Sequence, residues 1–208
     1  MPDSTNEDIQ RFHRWSRTYE RSLGQRFFFD PVHRGVVELV AGHLDGHGAA
    51  PNPRGTAMQV LDIGCGTGRL LRRAASRWPS ARLVGVDPAE GMIENARRLT
   101  PAATCLVGKG EWLPLSDSSA EVAFSTVSFH HWGDQAAGVR EVARVLRPGG
   151  LFCLADIALP ALAAALIPHS RIHTRGEMRL LFEQAGLTVV EQKSLRGGAV
   201  LATIGRKG

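Results

Sequence analysis

The chain has 208 residues, 43% hydrophobic and 22% charged, the balance of a globular protein of one domain or slightly more. That balance excludes a disordered chain, a collagen-like repeat and a coiled coil. The formal net charge of +5, from 25 basic against 20 acidic residues, permits a nucleic-acid or acidic partner without demanding one. No apolar run reaches the ~18 residues of a membrane span, and the longest, 157–167, contains Pro160. The N-terminus is polar and acidic, unlike a signal peptide. Three cysteines, Cys65, Cys105 and Cys153, lack metal-like spacing, so reduced thiols, a cytoplasmic location and no metal site are expected.

The first expected element is a helix over 10–24. It carries Arg11, Arg14, Arg17 and Arg21 at helical spacing beside Phe12, Trp15 and Tyr19. A solvated face is the first reading of that arginine row, and a phosphate-binding surface the second. Asp30-Pro31 opens a helix to about His43, and the Gly/Pro/Ala-rich stretch 42–57 is the best boundary in the chain. A helical extension over 1–50 and a main domain over 51–208 follow from it.

From there short apolar runs alternate with helical patterns. Strands are expected at 59–63, 81–86, 104–107, 120–125 and 151–156. Helices are expected at 68–78, 90–99 and 134–146. A helix at 174–185, ended by Gly186, precedes strands at 187–194 and 199–205. Alternation of this kind predicts an α/β, Rossmann-like, doubly wound and mostly parallel seven-stranded sheet. Arg196, Gly197 and Gly198 suit a hairpin, so the sheet should end with an antiparallel strand.

Ligands of such sheets bind beyond the carboxyl ends of the strands, near the reversal of strand order. The first strand runs into DIGCGTG at 62–68. Alternating glycines let the backbone turn tightly and approach a ligand, and the helix behind aims free N–H groups at it. A dinucleotide loop would need a third glycine where Arg69 stands, and the phosphate-loop lysine and hydroxyl pair are missing. An acid ahead of the loop, Asp62, suits a ligand with a cationic head. A second acid, Asp87, closes the second strand, where a carboxylate can accept both hydroxyls of a ribose.

With these motifs the chain resembles the class I S-adenosylmethionine-dependent methyltransferases, in the branch of ubiquinone and menaquinone biosynthesis. The resemblance runs through VLDIGCGTG at 60–68, DPAEGM at 87–92, EWLP at 111–114, SFHHW at 128–132 and REVARVLRPGG at 140–150. It spans about residues 12 to 205. It implies that Gly64, Cys65, Gly66 and Gly68 hold the methionine part of S-adenosylmethionine, with Asp62 near its ammonium. Asp87 would take the ribose, Pro88 and Met92 would pack on adenine, and Gly110 and Glu111 would form the adenine turn. Thr126 would meet the cofactor from the fourth strand, and Tyr19 would cover it. Simple packing is the competing reading for Pro88, Met92 and Thr126. The product would be S-adenosylhomocysteine.

Two positions depart from the family pattern. Relatives carry Asp or Asn where Lys109 stands, and lysine cannot accept a bond from the adenine amino group. Weaker cofactor binding is expected, unless Lys109 stands outside the pocket as a solvated charge. Ala120 and Glu121 replace a Phe-Asp pair, a change of packing. His130 and His131, just past the fourth strand, are the candidate general bases, one facing in and one out; a structural role competes. His33, His43, His47, His169 and His173 read mostly as surface residues, with His169 and His173 flanking a short apolar lid over 157–168. That lid, with Phe129 and Trp132, favours a small aromatic or apolar methyl acceptor. A nucleic-acid or protein acceptor is the runner-up, against which STVS stands at 125–128 in place of an NPPY-like tetrad. A cofactor-binding protein without turnover is the third reading, and a monomer or homodimer is expected.

Overall fold

A computed structural model describes residues 25–46, 57–158 and 171–208. The expected helix over 10–24, with its arginine row and Tyr19, lies outside them, as do His47, His169 and most of the apolar 157–168 segment. A π-helical turn at Gln25–Phe29 leads into α1, Asp30–Gly46, which runs past its expected end at His43.

Seven strands follow: β1 Gln59–Ile63, β2 Arg82–Asp87, β3 Ala103–Val107, β4 Ala120–Thr126, β5 Leu146–Ile157, β6 Leu187–Leu195 and β7 Val200–Lys207. Between them lie α2 Arg69–Arg77, α3 Glu90–Leu99, α4 Gln135–Val145 and α5 Arg175–Gln184. Two helix starts are written into local chemistry. Asp134 accepts from the N–H of Ala137, and Thr174 forms a reciprocal capping box with Glu177.

The strands form one sheet in the order β3-β2-β1-β4-β5-β7-β6. All neighbours from β3 to β5 pair in parallel, and β7 runs antiparallel to both β5 and β6. The last strand of the chain is thus antiparallel, as expected. It inserts one place in from the edge and leaves β6 outermost. The hairpin joining them turns through a short 3-10 segment in which Arg196, Gly197 and Gly198 all have positive φ.

Alternate strand residues feed two cores. Val60, Phe124, Cys153 and Ala155 join Leu71 of α2, Ile93 of α3 and the α1 row Val32, Val36, Val37 and Val40. Leu61, Ile63, Ala123, Phe152 and Leu154 join Val139 and Val142 of α4 and Met178 and Phe182 of α5. The result is three layers, with period-2 strands between helices of 3.6-residue period. Each fully buried valine of α1 contributes about 1.5–3 kcal/mol of transfer free energy, so that helix is held firmly on the sheet. Strand order reverses between β1 and β4, which opens a crevice at their carboxyl ends. No helix among the described residues is long and apolar enough to cross a membrane.

Candidate functional site

The glycine loop starts where β1 ends. Gly64, Gly66 and Gly68 all have positive φ, at +73°, +51° and +79°, a region that disfavours side chains. The N–H groups of Gly64 and Cys65 donate to Val86 O, at 2.8 and 3.1 Å. A Cβ on Gly64 would lie 2.3 Å from Ser128 Oγ, whose hydroxyl donates to Ile63 O at 3.2 Å. The loop is thus pressed against the turn that leaves β4. Gly64→Ala is expected to combine left-handed strain with that clash and lower the melting temperature by several degrees. An unchanged melting curve would refute the tight seating.

Asp87 closes β2 with both oxygens engaged. Oδ2 accepts from Gly66 N–H and Oδ1 from Ala89 N–H, each at 2.9 Å. Burial pushes its pKa up to about 6, against the downward pull of those two N–H groups. Asp62 is 1% exposed, and its Oδ1 has no hydrogen-bond partner. Burial, and then the Asp87 carboxylate, push it up to about 8.

Two cavities meet over the loop. The larger, about 110 Å³, is bordered by Gly64, Gly66, Asp87, Pro88, Met92, Lys109, Gly110, Glu111, Thr126, Ser128, His131 and Trp132, among others. The smaller, about 30 Å³, is bordered by Asp62, Cys65, Thr67 and Arg69, by Phe29 and His33, and again by Gly64, Gly66 and Thr126. Thr126, buried at the end of β4, stands at the junction. Gly68 borders neither; it forms the N-cap of α2, tight against Thr100. The Cys65 thiol lies over Gly85, where a Cβ would come within 2.8 Å of the sulfur. Met92 is 2% exposed, so it belongs to the core as well as to the cavity wall.

His33, expected at the surface, is 7% exposed and its Nδ1 has no partner. Burial pushes its pKa down to about 4, against the pull of Asp30, so the ring is neutral at pH 7. Sequence reasoning missed it. The signal was Asp30-Pro31 opening a helix, which puts residue 33 in the valine row Val32, Val36, Val37 and Val40, where a histidine must face the core.

The far wall is built around Trp132. A Cβ on Gly110 would come 2.7 Å from its indole and one on Gly138 2.2 Å, so both glycines make the seat of that ring. Phe129 meets it edge-on at 5.1 Å and is 1% exposed, a core residue. Glu111 does not point a free carboxylate at the pocket: its Oε1 accepts from the N–H groups of Gly133 and Asp134. Lys109 borders the cavity yet is exposed, on a turn bridged to Trp112.

Behind that turn, Glu141 accepts from Leu113 N–H at 2.9 Å, and Arg144 grips Glu141 and Leu113 O. Arg144 is the main reason the Glu141 pKa is lowered. Glu141→Ala should leave Leu113 N–H unpaired and take from Arg144 one of its two carboxylate partners, Asp117 being the other, cost about 1–3 kcal/mol, and loosen the wall. A melt with and without ligand checks both effects.

His130 and His131 differ in what surrounds them. His131 borders the larger cavity, and the His130 ring lies against it at 4.0 Å between centroids. His130 is held by Asp156 of β5, at 2.7 Å from Nδ1 to Oδ1 and 2.9 Å from its backbone N–H to Oδ2. Asp156, 4% exposed, was not singled out in the sequence, because the residue that gives it a role, His130, lies 26 positions away on another element. Among the described residues no cluster of His, Cys, Asp or Glu could hold a metal ion.

The comparisons agree with this architecture. A family model described as a methyltransferase domain matches residues 61–154. Malonyl-[acyl-carrier protein] O-methyltransferase of Dechloromonas aromatica is 32% identical over 195 residues, covering 88% of this chain and 66% of that protein. The enzyme of the same name from Geobacter sulfurreducens is 31% identical, covering 86% and 69%. The chain spans about two thirds of the length of these relatives. A Haloferax volcanii putative methyltransferase, solved with the Trm112 methyltransferase activator, is 25% identical with TM-score 0.67, covering 94% of this chain and 96% of that one. The fold and site define an open α/β protein with a pocket at its switch point. The chain belongs to the class I S-adenosylmethionine-dependent methyltransferases, whose cofactor is S-adenosylmethionine.

Proposed function

We propose that this protein transfers the methyl group of S-adenosylmethionine to a small acceptor, leaving S-adenosylhomocysteine. The observation that carries the reading is Asp62 Oδ1, a buried carboxylate oxygen without a partner at the wall of the smaller cavity. An orphaned buried acceptor is costly, and an ammonium group satisfies it. Asp87, at the other end of the loop, suits a ribose diol. The group therefore fits the residues present.

On this reading Asp62 takes the ammonium, and Gly64, Cys65 and Gly66 line the methionine part, with Gly68 holding the turn. Pro88 and Met92 pack on adenine, and the Gly110–Glu111 turn, braced through Trp132 and Gly133, encloses it. Thr126 separates the amino-acid and nucleoside halves, and Tyr19 remains a candidate cover. His130 and His131 are the candidate bases. When bound, the cofactor supplies an electrophilic methyl on a sulfonium. The protein's part is to hold donor and acceptor in line, which alone accounts for several kcal/mol. The ubiquinone and menaquinone branch is supported by the motif run at 140–150, whereas the relatives named above act on malonyl-[acyl-carrier protein]. A small, largely apolar acceptor suits the cavity wall of Val127, Trp132 and Ile63.

A thermal melt with S-adenosylmethionine and with S-adenosylhomocysteine tests the reading. Ligand at ~100 times its dissociation constant adds about 2.7 kcal/mol to the folded state, a midpoint rise of a few degrees. No rise with either compound at millimolar concentration would sink the proposal.

A further inference from the structure

Among the described residues four buried side-chain polar atoms lack a hydrogen-bond partner, and two of them, His33 Nδ1 and Asp62 Oδ1, border the same small cavity. Each is costly alone. They arrive from different elements. Asp62 stands in β1, and His33 on α1, whose fully buried Val32, Val36 and Val40 fix that helix on the sheet. The Phe29 ring, 6.2 Å from the His33 ring, borders the cavity beside it. The space, about 30 Å³, takes roughly two water-sized groups. What fills it is a small polar head and not a ring.

The two sides of the cavity differ in charge. Asp62 has the Asp87 carboxylate as its charged neighbour. On His33 act Asp30 and the guanidinium groups of Arg73, Arg69 and Arg72, a formal excess of positive charge. Asp30 is itself bound to Arg69 at 3.0 Å and to Arg73 at 3.7 Å. Arg69 and Leu70, the first residues of α2, also border the cavity, and the N-terminal end of a helix favours a negative group. Burial keeps the His33 ring neutral at pH 7, so in its Nδ1–H tautomer it is a hydrogen-bond donor and not a cation. An unpartnered acceptor on the negative side and an unpartnered donor on the positive side match a zwitterion.

Resting on the methyltransferase reading above, we infer that His33 reads the carboxylate of the cofactor's amino-acid end, donating from Nδ1 while Asp62 holds the ammonium. The pair makes the site selective for an intact α-amino acid. S-adenosylmethionine and S-adenosylhomocysteine satisfy both orphaned atoms. An analogue without the carboxylate leaves His33 buried and unpaired, and the cost of that orphan sets the selectivity.

Direct binding to the full chain tests this without turnover. Titration calorimetry at pH 7 compares S-adenosylhomocysteine with its analogue lacking only the carboxylate and with the one lacking only the amino group. Wild type should bind S-adenosylhomocysteine at least tenfold tighter than the decarboxylated analogue. His33→Leu, apolar and of similar size, removes the orphaned atom, so the cofactor-free variant should melt no lower than wild type. Its affinity for S-adenosylhomocysteine should fall at least tenfold, with that for the decarboxylated analogue within threefold of wild type. The deaminated analogue, which keeps the carboxylate, should also bind His33→Leu less tightly. His33→Asn, whose amide donates from near the place of Nδ1, should recover part of the preference. On the wild type itself, the His33 Nδ1 nitrogen-15 resonance should move with S-adenosylhomocysteine and much less with the decarboxylated analogue, a readout that needs no variant.

A loss of equal size for both ligands in His33→Leu would make His33 a support of the wall and overturn the inference. Unchanged binding of S-adenosylhomocysteine by that variant overturns it too, and gives the carboxylate to another group such as Arg69. So does a wild type that binds S-adenosylhomocysteine and the decarboxylated analogue equally, or whose His33 resonance moves equally with both. In each case binding of S-adenosylhomocysteine by the wild type leaves the methyltransferase reading standing; only the absence of that binding removes it.

Discussion

Asp62→Asn is expected to make the cofactor-free protein more stable above pH 7 and to abolish the stabilisation by S-adenosylmethionine. The two effects have one cause. In the fold, burial and the Asp87 carboxylate raise the Asp62 pKa from 3.8 to about 8. Between those values the folded state holds a proton that the unfolded chain has released. Stability is therefore full below pH 3.8 and falls as pH rises, by at most about 1.4 kcal/mol per unit, until pH passes about 8. Asparagine has no such slope. His33 pulls the other way, since its folded pKa is lowered from 6.5 to about 4. Its contribution is complete above pH 6.5 and is lost as pH falls. Asp87, raised to about 6, adds a fall that ends near that pH. The window from pH 7 to 8 thus isolates Asp62. Wild type should lose stability across it and Asp62→Asn should not. With cofactor present the order reverses, because removing one partner of a buried ion pair costs about 3–5 kcal/mol, a loss of two orders of magnitude or more in affinity. Parallel melts at pH 7 and 8, with and without ligand, check both halves. A variant that still binds normally would remove Asp62 from the site.

The strand–helix rhythm was legible because each element carries its own period and its own stop. β1 reads as alternating residues that feed two cores, and α5 is bracketed by Thr174 and Gly186. The place of β7 was not legible. A short link says that β6 and β7 pair, but which of them lies against β5 depends on long-range packing of Leu154, Ala155 and their partners. In the site, Asp62, the glycines and Asp87 announce themselves because a backbone that must turn against a ligand needs those residue types at that spacing. Gly110 and Glu111 were legible as a turn, but their contacts were not: the glycine makes room for Trp132, and the acid binds the N–H groups of Gly133 and Asp134. Those partners stand some twenty residues away, beyond the whole of β4. His33 and Asp156 share that difficulty. Each is a polar residue whose meaning comes from what another element brings to it, and no local pattern records that.

Asp87→Ala should be the more damaging of the two acid variants. Its carboxylate joins the glycine loop to the start of α3, through Gly66 N–H and Ala89 N–H. Alanine leaves both donors unpaired at a buried position, at about 1–3 kcal/mol each, so the cofactor-free protein should melt several degrees lower. Relief of burial offsets part of this, since a carboxylate raised to about 6 is itself strained by its surroundings. Affinity for S-adenosylmethionine should fall at least a hundredfold, because on the proposed reading the ribose acceptor and the loop's brace disappear together. Asp87→Asn separates the two roles. Its amide oxygen can still accept from one N–H, but its NH2 faces the other donor, so stability should recover only in part while affinity stays low. The variant also reaches Asp62, whose raised pKa owes its second contribution to Asp87. In Asp87→Ala the fall in stability with pH should therefore end at a lower pH than in wild type. An unmoved end point, with affinity lost, would mean that the two carboxylates act on the ligand independently, rather than as one charged pair across the glycine loop.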